Sequence, residues 1–366
     1  MPTRLGWTST SAASDEHPVA SAGVGKTRIA VAGAGIIGRA HIGVLRASAS
    51  CALSAIVDPV SLVEAAGVPH YRSLDELLAK DPPDGVILAT PNPLHVPQAL
   101  QCLDAGLPIL LEKPISSTVA EGERLLRKVE EKKARVLIGH HRAHSPIMAK
   151  AKEIVDSGVL GRMVAVMGSA TYLKPDAYFE EGPWRREAGG GPILINLIHD
   201  VHNLRMLCGE IVAVQAFASR AVRGFPVEDT AAISFRFASG ALGSFMLSDT
   251  AACPRSWEQT SRENRMFFPC DDEDCYVIAG ANGCLSVPTM RLKTYRRAED
   301  RSWQKPFETA VVPVTREDPL QLQLEHFGAV VRGNALPLVT ARDGLANLRV
   351  TEAIVEAARS GRTVNL

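Results

Sequence analysis

Residues 28–41 read Arg28-Ile-Ala-Val-Ala-Gly33-Ala-Gly35-Ile36-Ile37-Gly38-Arg-Ala-His41. The apolar run from Ile29 to Ala32 predicts a buried parallel strand, a turn at Gly33 and a helix opening at about Ile36. The glycines are spaced G-x-G-x-x-G. The first makes the tight turn, the second lets a pyrophosphate approach the backbone, and the third lets helix and strand pack closely. The free N–H groups and positive dipole end of the helix then face an anion. Small glycine-rich turns also join strands to helices for packing alone, so the following strand decides. Cys51-Ala-Leu-Ser-Ala-Ile-Val-Asp58 is apolar and ends in a carboxylate, about 20 residues beyond the turn. Strand, turn, helix, strand and acid in this order predict dinucleotide binding by Gly33, Gly35, Ile36, Ile37, Gly38 and Asp58. A carboxylate at Asp58 hydrogen-bonds a ribose 2′-OH and repels a 2′-phosphate. Pro59 and Val60 follow, with no adjacent arginine. The expected cofactor is therefore NAD rather than NADP.

The alternation continues. A short helix is expected after Pro59, and Ser73 with Glu76 has capping-box spacing ahead of another. Gly85–Thr90, Pro108–Glu112 and Val136–Gly139 read as buried strands, with helical spacing over Leu94–Ala105 and Val119–Lys133. Alternating strands and helices over 28–142 predict a doubly wound parallel sheet. Ligands sit at the carboxyl ends of such strands. That rule gathers Asp58, Thr90, Pro91, Asn92, His95, Glu112, Lys113, Pro114, His140 and Arg142 around one crevice, with Arg142 expected on the cofactor. From 143 to 366 the pattern changes. A helix is expected over Ser145–Asp156, and successive strands follow without intervening helices: Met163–Tyr172, Ile211–Ser219, Ala231–Phe237 and Ala241–Ser248, then Cys284–Val287 and Ala310–Val314. They predict an antiparallel sheet, covered by helices near Ile193–Leu207, Leu320–Val331 and Ala341–Ala358.

Residues 1–27 are rich in Ser, Ala, Gly and Thr without periodicity, and are expected to form a disordered tail with no secretory signal. Gly23-Val-Gly-Lys-Thr27 imitates the end of a P-loop, but Ala20 holds the place of the required glycine and no strand precedes it. Lys+Arg and Asp+Glu are both 40, which gives no electrostatic reason for a nucleic-acid or anionic-membrane partner. No apolar run approaches the ~18 residues needed to span a bilayer. Seven scattered cysteines are not a disulfide framework, and a reducing cytoplasm is the expected compartment. Cys270 and Cys275 flank Asp-Asp-Glu-Asp without a nearby histidine, a solvated acidic loop rather than a metal site.

Taken together, Gly33-x-Gly35-x-x-Gly38, Val57-Asp58-Pro59, Thr90-Pro91-Asn92-x-x-His95, Glu112-Lys113-Pro114 and Gly189-Gly-Gly191 before a histidine-bearing helix occur in that order. This set resembles the glucose-fructose oxidoreductase / inositol dehydrogenase / rhizopine-catabolism (Gfo/Idh/MocA) family, over about 28–366. Gln323-Leu-Glu325-His-Phe and Asp343-Gly-Leu are similar to it as well. The resemblance implies a Rossmann domain followed by an α+β domain with a large open sheet, whose back often makes a homodimer or homotetramer contact. It also implies an NAD(P)-dependent dehydrogenase or reductase acting on a carbinol of a sugar, polyol or cyclitol. Two other activities occur within the resemblance: an NAD-dependent glycosidase, and a ligand-responsive regulator without turnover.

Hydride transfer needs a group that manages the hydroxyl proton. Lys113, after a buried strand, is placed to hydrogen-bond a substrate oxygen and stabilise a developing alkoxide. Glu112 is expected beside the nicotinamide or in a local pair. On a helix Asn196, His199, Asp200 and Asn203 form one polar stripe, in which His199 is the candidate general acid–base and Asn196 a hydroxyl ligand. Where the family commonly has an Asp four residues before that histidine, this chain has Ile195. His202 is expected to be structural. Tyr172, Lys174, Tyr178, Trp184 and Arg185 precede the glycine run, and Trp257, Glu258 and Asn264 form a second aromatic–polar group, of the kind that lines a sugar pocket. Arg255, Arg262 and Arg265 are candidate partners for an acidic substrate.

Overall fold

The computed structural model describes residues 25–60 and 67–366. The expected helix after Pro59 and nearly all of the expected tail lie outside the described residues. The first half alternates as β1 (Thr27–Ala32), α1 (Ile36–Ala47), β2 (Cys51–Val57), β3 (His70–Tyr71), α2 (Leu74–Lys80), β4 (Gly85–Leu88), α3 (Asn92–Asp104), β5 (Ile109–Leu111), α4 (Val119–Lys132) and β6 (Val136–Ile138). All six strands are parallel, in the order β3-β2-β1-β4-β5-β6. The order reverses between β1 and β4, which opens a crevice at their carboxyl ends, where doubly wound sheets take nucleotides. The strands are apolar on both faces because helices cover both.

The second half contains α5 (Pro146–Asp156), β7 (Met163–Leu173), α6 (Asp176–Glu180), α7 (Ile198–Cys208), β8 (Ile211–Ser219), β9 (Thr230–Phe237), β10 (Leu242–Ser248), β11 (Thr250–Arg255) and α8 (Trp257–Thr260). It closes with β12 (Tyr276–Gly280), β13 (Gly283–Val287), β14 (Arg291–Thr294), β15 (Glu308–Val311), α9 (Pro319–Val331), α10 (Ala341–Ser360) and β16 (Val364–Asn365). Ten strands form one sheet, β15-β14-β13-β12-β7-β10-β9-β8-β16, with β11 pairing β7. It is antiparallel except where β7 runs parallel to β10. Several of these strands escape sequence patterning. β14 alternates charged and apolar residues near the sheet edge, β11 contains a proline, and β16 is two residues long. Their pairing depends on β13, β7 and β8 rather than on local propensity.

One face of the large sheet is buried through Val166, Ile233, Phe235, Phe245 and Leu247, against Leu204 and Leu207 of α7 and Val350 and Ile354 of α10. The same α10 places Leu348 in the core of the parallel sheet, beside Leu324 and Phe327 of α9. The last helix is thus shared between both cores. It begins with a capping box: Asp343 N–H donates to Thr340 Oγ1 (3.2 Å) and Thr340 N–H to Asp343 Oδ2 (2.9 Å). No helix among the described residues is long and apolar enough to cross a membrane.

Candidate active site

The glycine turn divides its labour as its spacing predicts. Gly33 sits at φ +87, and a Cβ there would meet the Ala89 carbonyl oxygen at 2.6 Å. A Cβ on Gly38 would lie 2.0 Å from the Gly33 oxygen, so α1 rests directly on the turn. Around Gly35 there is open space. Gly35 caps α1 without a side-chain hydrogen bond, and no acidic residue occupies the first turn. A helix start with unclaimed N–H groups and room beside it fits a pyrophosphate. Asp58 Oδ2 accepts from Ala34 N–H (2.9 Å) and Oδ1 from Val60 N–H (3.0 Å), which fixes the carboxylate beside the turn. With a negative charge held there, NAD is expected to be preferred over NADP in kcat/KM by at least about tenfold, equivalent to about 1.4 kcal/mol. Asp58→Ala should erode that preference; equal use of both cofactors by the unaltered protein would refute the assignment.

Glu112 is buried, its Oε1 2.8 Å from His41 Nε2 on α1 and its Oε2 accepting from Lys113 N–H (3.2 Å). Burial pushes its pKa up, but the bond and charge of His41 outweigh that and leave it below the usual value. The expected local pair is formed with His41, and it ties the nucleotide helix to the end of β5. A Cβ on Gly139 would strike this carboxylate at 2.8 Å, so β6 closes over it. Beside it, half-buried Lys113 extends its Nζ across to the second half of the chain and donates to the Ile195 carbonyl (2.9 Å). Desolvation lowers its pKa, with Glu112 pulling the other way.

His95 does not reach the crevice. It is buried, with Nδ1 2.7 Å from the Pro114 oxygen and Nε2 2.8 Å from the Thr90 oxygen. It buttresses the two turns that carry Thr90 and Lys113. Thr90 Oγ1 donates to Gln98 Oε1 (2.6 Å), exposed Pro91 caps α3, and half-buried Asn92 begins it. Arg142 is also spent internally. Its guanidinium donates to Asp200 Oδ1 (3.2 Å) and to Glu258 Oε1 (3.0 and 3.2 Å), which keeps the cation charged despite burial. It ties the end of β6 to α7 and α8 rather than reaching for the cofactor.

Gly190 and Gly191 of the glycine run are closely packed, while Gly189 is exposed with open space around it. A Cβ on Gly191 would lie 2.3 Å from Glu228 Oε1, and one on Gly190 2.5 Å from the Trp184 oxygen. The Glu228 carboxylate accepts from Ile193 N–H (2.9 Å) at the start of a π turn, Ile193–Leu197, which leads into α7. Wide turns of this kind are frequent at functional sites. Here the turn carries both the carbonyl that binds Lys113 and the amide of Asn196. It also splits the polar stripe expected on an uninterrupted helix. Asp200 and Asn203 turn inward to Tyr276 and Arg142, while Asn196 accepts at Oδ1 from Lys174 Nζ (2.7 Å). That bond leaves the Asn196 NH2 group as donor. Lys174 is itself held by Asp249 (3.3 Å) and lies 4.9 Å from the Tyr178 ring centroid; burial lowers its pKa to about 8.

His199, on the first turn of α7, is buried with no partner at Nδ1, and among the described residues nothing bonds its Nε2. Its ring meets those of His141 (4.9 Å) and His140 (5.3 Å) edge-on, and His140 stacks on His202 (4.8 Å). Desolvation, then the charges of Lys113 and Arg142, hold its pKa well below 6.5. The hydroxyl of half-buried Tyr172 has no partner, and Trp184 is 56% exposed. Trp257 is instead a core residue, its Nε1 donating to Glu263 (3.1 Å), and Glu258 serves Arg142. Arg255 and Arg262 pair with Glu273 and Asp271 (both 2.8 Å), so the acidic loop consumes them. The histidine cluster as a unit, and Asn347 within it, were not singled out from the sequence; residues 140 and 347 meet only through the packing of α10.

A parallel sheet with an anion-ready glycine turn, facing an amine and a neutral imidazole, defines a nicotinamide-dependent oxidoreductase. Residues 27–140 match the model of an oxidoreductase family with an NAD-binding Rossmann fold, and residues 148–286 match the GFO/IDH/MocA C-terminal domain. The chain belongs to the GFO/IDH/MocA oxidoreductase family. It is similar to the 1,5-anhydro-D-fructose reductase of Ensifer adhaerens, at 28% identity over 80% of this chain and 83% of that one. An inositol 2-dehydrogenase of Rubrobacter xylanophilus is 26% identical over 82% and 80% of the two chains. Among solved structures, the aldose-aldose oxidoreductase of Caulobacter crescentus complexed with glycerol superposes with a TM-score of 0.73, at 26% identity, covering 93% of this chain and all (100%) of that one.

Proposed function

We propose that the protein interconverts a carbinol and a carbonyl on a sugar, polyol or cyclitol, with NAD as hydride carrier. The observation that carries this is the Lys113 ammonium, held at the carboxyl edge of the parallel sheet by a carbonyl of the opposite half. When bound, the nicotinamide accepts or returns the hydride. Lys113 donates to the reacting oxygen and stabilises its developing negative charge. His199 takes the hydroxyl proton at Nε2, and returns it in the reverse direction. Asn196, oriented by Lys174, donates to a neighbouring hydroxyl, with Tyr172 and Trp184 lining the far side. Relatives named as sugar and inositol oxidoreductases support this substrate class. Screening a sugar and cyclitol panel for net NADH formation tests it. Net hydrolysis without NADH accumulation would favour a glycosidase, and NAD binding without any turnover a regulator.

The low pKa of His199 gives the activity a direction in pH. A histidine with a depressed pKa remains a proton acceptor below 6.5, so alcohol oxidation should hold its kcat as pH falls from 8 to about 6.5. An acid limb centred near 6.5 or above would count against His199 as the base.

The second copy of the chain belongs on the outer face of the large sheet. Met167, Leu242, Met246 and Phe217 are 54%, 58%, 46% and 75% exposed. Strand register places them on one face with Ala232 and Ser234. An apolar, nearly uncharged face of this kind is what a stable homo-oligomer covers. Met246→Glu should shift the sedimenting species toward monomer; an unchanged sedimentation coefficient would remove this face from the interface. A cytoplasmic setting suits seven cysteines that form no disulfide.

A further inference from the structure

Behind His199 lies a buried polar chain that the reaction does not touch directly. Arg205 of α7 is anchored by Glu210 (2.9 and 2.7 Å), by the Asp343 backbone oxygen (3.2 Å) and, more loosely, by the Asp343 carboxylate (3.7 Å). Its NH1 donates to Oδ1 of Asn347 (2.6 Å). Arginine only donates, so the Asn347 amide is oriented by chemistry: its oxygen faces the guanidinium. The NH2 group then faces two imidazole nitrogens, His140 Nε2 and His202 Nδ1, each at 3.1 Å. Asn347 is fully buried, and both rings are more than nine-tenths buried. An amide NH2 has two hydrogens and accepts nothing. Both ring nitrogens must therefore present lone pairs. His140 carries its one proton on Nδ1, His202 carries its proton on Nε2, and both are neutral. Protonating either ring would set an N–H against an N–H.

We propose that Asn347 is a positioning residue: it keeps His140, which adjoins His199, and His202 behind it uncharged, so that His199 does not lose basicity as the pH falls. The acid–base consequence rests on the oxidoreductase function proposed above; the tautomers do not. The surroundings explain why such a device matters. His140 is faced by Lys113, His141, His202 and Arg205, and His199 by Lys113, Arg142, His141 and His140. His202 is faced by Arg205, with Asp343 and Glu210 opposing. Without a dedicated donor, a cluster of four histidines invites protonation as pH falls, and one charge on His140 would suppress proton uptake by its neighbour. Burial and these cations already hold His140 well below the ordinary value and His202 near 4. The bonds from Asn347 add a geometric lock to that bias.

The test reads the rings directly. Long-range 1H–15N spectra of protein labelled in its histidines, assigned with His140→Gln and His202→Gln, should show at pH 7 a neutral Nδ1–H ring for His140. His202 should be a neutral Nε2–H ring, and neither should titrate down to about pH 5. Asn347→Asp replaces the donor by an acceptor. Both rings should then reverse tautomer or become charged, and kcat should begin to fall at the pH where they charge, above the acid limb of the unaltered enzyme. Below that pH the rate should fall about tenfold, while at pH 9 it stays within about threefold of the unaltered enzyme. A charged ring or the opposite tautomer in the unaltered protein at pH 7 overturns the proposal. So does an Asn347→Asp enzyme that is slower by the same factor at every pH. Should that variant fail to fold, the spectrum of the unaltered protein decides alone. Expected tautomers in a protein that oxidises no polyol would retire the oxidoreductase function, while the lock itself would stand.

Discussion

Replacing Lys113 by Met is expected to lower kcat about a thousandfold with the fold intact. The magnitude is the ordinary yield of a group that polarises the reacting oxygen and steers its proton, about 10²–10⁴. The fold should survive because the substitution removes a desolvated cation whose protein partner is a backbone carbonyl, Ile195 O. Its neighbour Glu112 keeps its bond to His41 (2.8 Å), so no buried carboxylate is left without a partner. NADH affinity, read by fluorescence titration, should change by less than about threefold, or about 0.7 kcal/mol. A variant that retains more than a tenth of the rate would move the chemistry away from this amine.

The glycine turn supplies the second large effect, as a contrast between two substitutions three residues apart. Gly38→Ala forces a methyl carbon to within 2.0 Å of the Gly33 oxygen, where backbone has to move. It should destabilise the protein by about 3 kcal/mol and weaken NADH binding about a hundredfold. Gly35→Ala meets nothing within 4 Å and keeps an ordinary negative φ of −68. It should leave the melting temperature unchanged and weaken NADH alone, since the methyl occupies the approach of the pyrophosphate. If both variants melted like the unaltered chain and bound NADH equally well, the turn would not be the cofactor site.

The residues that the geometry reassigns share a cause. Arg142 follows β6, and His95 lies in the first turn of α3 after β4, in the region beyond the strand ends where the sequence pattern places ligand-binding groups. Both turned instead to protein partners: Asp200 and Glu258 for Arg142, two backbone carbonyls for His95. Strand-end position is local information, whereas which acceptor lies opposite depends on α7, α8 and the turn after β5. Trp257 follows the same rule. Its aromatic–polar neighbours in sequence suggest a sugar wall, yet the ring is filled in among core residues because β11 and β12 close around it.

By itself the sequence determined the parallel sheet, its glycine turn, the carboxylate of Asp58 and the amine of Lys113. These rest on periodicity and on spacings of a few residues, which short-range sterics and hydrogen bonding fix without help from elsewhere. Only the tertiary structure decided the partner of Lys113, the inward turn of Asp200 and Asn203, and the neutral histidine group locked by Asn347. Those contacts join residues from 58 to 207 positions apart. Their existence depends on where α7 and α10 come to rest, and packing two cores against one shared helix, not local propensity, sets that place.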